Sequence, residues 1–320
     1  TRTTWSSTSE PTTATWTGIA CIMVRGSAYG SLIAMRDELR ELWRYRELLL
    51  VMVRRDLKIR YKNSALGIFW SFLNPLLQVG VMTFVFGTIL NRGVDNFSAY
   101  ILAAYLPFTF FQFAVLDSAQ SVLAQLPLVK KIYFPREILP IASVLANFLH
   151  LLLGFVVLFA FLLIAYLRNP QVIPFQATTI YLPILLLISL MLSLGLGLII
   201  SALNTYFEDV KFIASMVMYL MVFLCPIMYL AEEVAATGLN HRSHFLLYKI
   251  YNLNPMAALA TAYRKVLLAP VPVPIAGRGV QAPLPLEWDY IGIAAVVSFV
   301  TLVGGYALFN RLKWGFVERP

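Results

Sequence analysis

Few side chains in this sequence have the type and spacing that reaction chemistry demands, and those few exclude more than they offer. The three histidines, His150, His241 and His244, are too scattered to form a metal centre, and no Cys/His cluster has metal-ligand spacing. There is no G-x-x-x-x-G-K-[ST] run, whose backbone amides cradle nucleotide phosphates, so the chain is not expected to bind or hydrolyse ATP itself. A nucleophile elbow and an H-E-x-x-H helix are missing as well. Two ionisable groups do fall inside long apolar runs, Asp117 and His150. Such groups mark either a proton relay or a partnered structural polar group. Proton-coupled carriers usually bury several carboxylates, and Asp117 is the single one well inside an apolar run, so a basic partner or interfacial water is the expectation for it.

The most specific feature is mechanical. Leu128-Val-Lys-Lys-Ile-Tyr-Phe-Pro-Arg-Glu-Ile-Leu-Pro140 joins two apolar runs as a short amphipathic element bounded by Pro127, Pro135 and Pro140. Prolines end helices and fix chain direction, so a short element held this way can pass a push to both neighbours. By composition alone it also reads as a solvated basic loop.

The elements around it belong in lipid. Apolar residues make up 59% of the 320-residue chain and charged residues 13%, with mean hydropathy +0.74. A soluble chain carries roughly twice that charge. The net charge of +9 is no nucleic-acid footprint, because the basic residues gather in the first 62 positions and beside the apolar runs. Crossing a bilayer takes about 20 apolar helical residues. Six segments qualify: 66–90, 100–123, 141–167, 181–203, 212–230 and 290–309. Between the fifth and sixth, the apolar stretch 245–268 is broken by Lys249, Asn252, Asn254, Pro255, Arg264 and Lys265, and reads as helices that dip into the membrane from one side or lie on it. The expected fold is therefore all-α integral membrane: six transmembrane helices, an N-terminal amphipathic interface helix, and re-entrant helices between spans 5 and 6. No internal repeat is visible, which disfavours carriers built from inverted repeats.

Lys and Arg collect on one side, in Arg36 to Lys62, in the loop with Lys130, Lys131 and Arg136, at Lys211, and in the tail with Arg311, Lys313 and Arg319. The opposite short loops carry only Arg92 and Arg168. Both termini are thus expected to be cytoplasmic. Residues 1–31 are expected to be a polar, flexible head, Ser/Thr-rich over Thr1–Thr17 and without the pattern of a signal peptide. A chain that opens on Thr is consistent with processing or trimming. Residues 32–65 form the interface helix. Leu32, Met35, Leu39, Leu42, Leu49, Val53 and Leu57 make one stripe, and Arg36, Arg40, Arg44, Glu47, Arg54 and Lys58 the other. So many charges forbid spanning, and the helix should lie along the membrane, with Trp43 and Tyr45 at headgroup depth, as an anchor or as a docking surface. Residues 66–320 hold the six spans. Cys21 and Cys225 imply no disulfide framework.

Several runs together carry a resemblance. Arg46-Glu-Leu-Leu49, the stretch Arg55 to Gly67, Trp70 to Leu77, Lys130 to Pro140, Asn204-Thr-Tyr-Phe-Glu-Asp-Val-Lys211, Asn254-Pro-Met256 with Tyr263-Arg264, and Phe316-Val-Glu318 resemble the ABC-2 type permeases. The likeness is greatest to those exporting O-antigen, capsule and teichoic-acid polymers, and it runs from about Leu32 to Glu318. Gln125 stands where the family often has Asn, Glu208 where it often has Arg, and the polar head is longer than in typical members. The resemblance implies a permease in the bacterial cytoplasmic membrane, with two copies forming a channel and each docked to a separate ATP-binding cassette subunit. ATP and Mg2+ would sit on that partner, and this chain would bind no cofactor. It also implies that Lys130, Lys131, Tyr133, Phe134 and Arg136 transmit ATP-driven closure, and that Glu47, Arg54, Asp56 and Arg60 border the docking cleft.

The cargo implied is a lipid-linked polysaccharide. Aromatic faces pack on sugar C–H groups, and Tyr adds a hydroxyl. Phe84 and Phe86 in the first span, with Tyr105, Phe108, Phe110, Phe111 and Phe113 in the second, are the candidate channel lining. The alternative for each ring is packing against lipid or neighbouring helices, and Phe110 and Phe111 cannot share one helix face. Other functions remain open at this point: an ABC-2 permease for a drug or another lipid, a proton-coupled flippase, or a membrane glycosyltransferase, for which no cytoplasmic acidic cluster is visible.

Overall fold

The computed structural model describes residues 40–62, 69–89, 97–168, 176–235, 246–270, 273–275, 279–281 and 283–316. Helix α1 is Arg46–Tyr61, and α2 is Trp70–Thr83, continued by a π-helical turn over Phe84–Ile89. Helix α3 is Phe97–Ser121, the short α4 is Leu126–Lys131, and α5 is Ile138–Arg168. A 3-10 turn at Ala177–Tyr181 leads into α6, Leu182–Tyr206, followed by α7, Val210–Leu224. Helices α8 (Ala231–Ala235), α9 (Leu246–Asn252) and α10 (Pro255–Leu267) precede α11, Trp288–Leu312. The head 1–31, the start of the interface helix at 32–39 and the 65/66 boundary lie outside the described residues.

Four helical stretches are long and apolar enough to cross a membrane: Phe97–Ser121, Ile138–Ile164, Ala177–Tyr206 and Trp288–Leu312. They correspond to the second, third, fourth and sixth segments expected from the sequence. The first corresponds to α2 with its π turn. The fifth is shorter than expected. Helix α7 stops at Leu224, and Cys225 turns to extended backbone at φ −98°, ψ 148°. The residue after it, Pro226, has no amide hydrogen to donate and pushes its predecessor out of helical geometry, so 225–230 forms turns instead of a last helical stretch.

Over the described residues the fold is all-α apart from one small ribbon. Val273–Ile275 and Gly279–Gln281 pair antiparallel, with Pro274 opposite Val280. In a two-stranded ribbon each strand is an edge, so the missing proline donor is tolerated there.

Helix α3 is the hub, touching α2, α5, α6, α7 and α10. Accordingly Ile101, Ala103, Ala104, Phe108, Ala114 and Val115 have no more than 0% exposure. The closest helix pair is α6 with α11. A Cβ on Gly195 would lie 2.5 Å from the Thr301 carbonyl carbon, and one on Gly305 would strike the Gly195 carbonyl oxygen. Only bare backbones approach that closely, as in other small-residue helix interfaces. The neighbouring Gly304 has no atom within 4 Å of where a Cβ would sit.

Candidate functional site

Two joints meet at the end of the bundle where α1, α4 and the C-terminal end of α11 come together. The first fastens the amphipathic helix. Met52 and Val53 of α1 are buried, with Leu48, Leu49 and Leu57 packed beside them, against Phe134, Ile138, Leu139, Ala142 and Ala146. Spacing of three and four places these α1 residues on one stripe, so hydrophobic burial sets the helix against α5. Polar groups then fix its register. Arg60 donates to Asp117 Oδ2 at 2.5 Å and to Asn147 Oδ1 at 3.0 Å. Asn147 Nδ2 donates to the same Asp117 oxygen at 2.9 Å, closing a triangle across α1, α3 and α5. One turn earlier, Ser143 Oγ donates to Asp56 Oδ2 at 3.4 Å, while Arg55 holds Asp56 Oδ1 at 2.8 Å. A cavity of 250 Å³ lies among Asp56, Arg60, Asp117, Ser143 and Asn147. The basic partner expected for Asp117 is thus Arg60.

The second joint is the proline-bounded elbow. Chain direction changes in the extended residues 132–135, which carry Pro135. Its tip points outward: Lys130 and Lys131 are exposed, Ile132 is 56% and Tyr133 75% exposed. Its root is buried. Phe134 and Val129 are each 6% exposed within the apolar cluster that also holds Phe309 and Phe316. Arg136 donates to the Lys313 carbonyl, and Lys313 Nζ sits 2.7 Å from Glu137 Oε1. The side chains of this ion pair are 12% and 2% exposed, and Glu137 Oε2 has no hydrogen-bond partner among the described residues. Lys313 stands on a 3-10 turn, Lys313–Phe316, whose Phe316 packs edge-on to Phe309 and Tyr206. The elbow is thereby tied to the ends of α6 and α11. Any displacement of its tip loads rigid elements on both sides.

The expected coupling residues therefore divide. Lys130, Lys131 and Tyr133 form an accessible tip, and Phe134 and Arg136 belong to its root. On α1, Glu47 and Arg54 are exposed, whereas Asp56 and Arg60 are spent on contacts with α3 and α5. Glu137 and Lys313 were missed as site residues. A carboxylate within the proline-bounded run was the visible signal, but its partner lies 176 residues away. Asn204 was quoted as part of a motif without a role. It is fully buried, accepting from the Lys211 amide at 3.0 Å and donating to the Ala119 carbonyl at 2.9 Å, so it staples the α6–α7 turn to α3.

The aromatic set divides too. Phe108, Phe110 and Phe111 are 0–4% exposed within the protomer, and Phe110 packs edge-on to Phe148 at 5.6 Å. In this conformation their rings contact neighbouring helices, which removes them from an open lining. Tyr105 is buried and donates to Gln78 of α2. Phe84 is 60% and Phe113 46% exposed, and the Phe86 side chain lies outside the described residues. Helix α7 adds rings that the sequence reading passed over, Tyr219 at 64% and Phe223 at 55% exposure, in contact at 5.7 Å. Their period of four, in a helix that buries only Ala214 and Met218, was the available signal.

On the far side of the bundle, α10 is held by Asn254, which caps the amide of Met256 at 3.1 Å, with Pro255 at the first helical position. Arg264, 5% exposed, donates to the carbonyls of Tyr100, Tyr229 and Ile227. It satisfies the backbone of the 225–230 turns that Pro226 creates. Among the described residues no group of three His, Cys, Asp or Glu side chains could hold a metal ion.

Comparison with known proteins gives this arrangement a family setting. A family model described as ABC-2 type transporter matches residues 47–268. The O-antigen export system permease protein RfbA of Myxococcus xanthus is 31% identical over 279 residues, covering 87% of this chain and 97% of that protein. Its namesake from Klebsiella pneumoniae is 28% identical over 272 residues, covering 85% of this chain and 94% of that protein.

Proposed function

The chain belongs to the ABC-2 type transporter family, and we propose that it is the permease subunit of an exporter carrying a lipid-linked polysaccharide across the bacterial cytoplasmic membrane. Two relatives named for O-antigen export, each matched over nearly its full length, support the polymer over a drug or a simple lipid. O-antigen, capsule and teichoic-acid-like polymers all remain within that class.

The mechanism has four parts. The six apolar segments make six spans, the Lys and Arg beside them put both termini in the cytoplasm, and the interrupted helices α8–α10 are re-entrant on the opposite side. Two copies enclose the conduit, and each docks one ATP-binding subunit that holds ATP and Mg2+. The exposed elbow tip, Lys130, Lys131 and Tyr133, receives the closing motion, with Glu47 and Arg54 bordering the contact. The root, with Phe134 and Glu137 buried and Arg136 half-buried, passes it to α5 and α11, while Arg60 and Asp56 carry it from α1 to α3 and α5. Phe84, Phe113, Tyr219 and Phe223 offer ring faces to sugars. A proton-coupled flippase fits poorly, because Asp117 is already paired with Arg60.

The observation that carries this reading is an elbow with an accessible basic-aromatic tip on a root locked by a buried ion pair. The test is export by the full transporter with Lys130→Glu and Lys131→Glu. Surface polysaccharide is expected to fall at least tenfold while the ATP-binding subunit keeps hydrolysing and the permease still inserts. Unchanged surface polysaccharide would sink the assignment of the tip.

A further inference from the structure

A second face of α1 shares Arg55 with the first joint. Val51, Arg54, Arg55, Lys58, Ile59 and Lys62 recur at steps of three and one, which puts them on a single helical face. That face borders a groove of 1200 Å³ whose other wall is Leu149, Leu152, Leu153 and Val156 of α5, again one face by spacing. The volume exceeds the roughly 300–1,000 Å³ of ordinary small-molecule pockets. The apolar wall is open, with Leu149 40%, Leu152 37% and Val156 65% exposed. Among the described residues four cations line the groove and no carboxylate does. Asp56 partly neutralises Arg55 from outside the groove, and leaves three further cations.

We propose that this groove is a binding site for an anionic phospholipid, with its phosphate between Lys58 and Lys62 and its acyl chains along Leu149, Leu152 and Val156. Charge and polarity argue for that occupant over others. A soluble partner would leave a wall of branched side chains against water, at a cost of about 25 cal/mol per Å². A second copy of the chain would bring another +9 of net charge toward four cations. An amphiphile with one anionic head and two apolar chains satisfies both walls at once. The depth fits as well, given the cytoplasmic placement of α1 proposed above. Helix α5 has 31 residues, about 46 Å at about 1.5 Å each, so it outruns a hydrocarbon core of roughly 30 Å. Its N-terminal turns beside α1 then lie outside the hydrocarbon. Leu149, eleven residues further in, sits where acyl chains begin. Among the described residues no lining residue comes from α2 or α7, which sets the groove apart from the exposed rings proposed to face the sugars.

The experiment is native mass spectrometry of the full chain purified in detergent, with dioleoyl phosphatidylglycerol or dioleoyl phosphatidylcholine added. The expected result is preferential retention of phosphatidylglycerol. Lys58→Gln with Lys62→Gln should lower that retention about thirtyfold, since a basic residue beside an anionic membrane surface contributes about 1 kcal/mol, or about fivefold. Leu152→Trp, which fills the groove and leaves every charge in place, should weaken both lipids. Lys211→Gln, a surface cation elsewhere, should change nothing. Equal retention of the two lipids, or an undiminished preference in the correctly folded Lys58/Lys62 variant, would overturn the site. So would a polyprenyl-linked glycan that occupies it in place of phospholipid.

Discussion

The two joints use the same kinds of residues and bind them differently. Arg60 and Asp117 are 38% and 39% exposed beside a small cavity, and their geometry is shared with Asn147. Lys313 and Glu137 are 12% and 2% exposed inside an apolar cluster. Exposed ion pairs contribute little and are screened by salt, because water competes for both charges. A buried pair adds little net stability either, yet removing one partner strands the other charge in a medium that cannot solvate it. The α1 joint is therefore free to re-form as the helix shifts, while the elbow root is fixed. A lever needs that combination: one adjustable end and one that does not slip.

The comparison can be broken most severely at Glu137. Glu137→Ala removes the carboxylate paired with the largely buried Lys313 ammonium and should cost about 3–5 kcal/mol. Thermal unfolding of the purified chain would register this as a large fall in Tm. Replacing both partners by apolar groups of similar size, Glu137→Leu with Lys313→Met, should restore most of the loss. If the double variant is no better than the single one, the ion pair is not what holds the root.

At the other joint, Arg60→Gln or Asp117→Asn should cost about 1 kcal/mol or less. The same measurement in low and molar salt should show that the wild-type advantage over these variants shrinks as salt rises. A salt-independent loss as large as that at Glu137 would erase the distinction between the joints. The smallest effect belongs to the tip and the outer stripe of α1. Glu47→Gln and Tyr133→Ala touch exposed side chains and should stay within about 0.5 kcal/mol of wild type, yet lower export. Stability and transport should thus separate at the tip and move together at the root. Loss of both at Tyr133 would make it part of the fold and not of the contact.

Much of this was legible in the chain itself. The runs around α3, α5, α6 and α11 are long enough and apolar enough that bilayer thickness alone identifies them, and each boundary lies within a few residues of expectation. Over the described residues 40–62 the amphipathic stripe is present, with Val53 buried and Arg54 exposed. Asn254 ahead of Pro255 announces a helix start by local chemistry, and the structure places the cap there. Pro226 also carried a local signal, and it explains why α7 ends early.

Pairings were not legible. Nothing near Asp117 in sequence names Arg60, 57 residues away, nor does Glu137 point to Lys313. Whether Phe108 or Phe113 faces a neighbouring helix or open space depends on which helices surround α3, and composition is silent on that. Gly304 and Gly305 are adjacent and chemically identical, but only Gly305 meets the α6 backbone.

By itself the sequence determined the solvent, the helices and the side on which its charges gather, because hydrophobic length, periodicity and proline act locally. Tertiary structure decided which charges meet, which aromatic rings are enclosed and where the elbow is anchored. Those outcomes depend on the distance and mutual orientation of helices, which arise only when all of them pack at once.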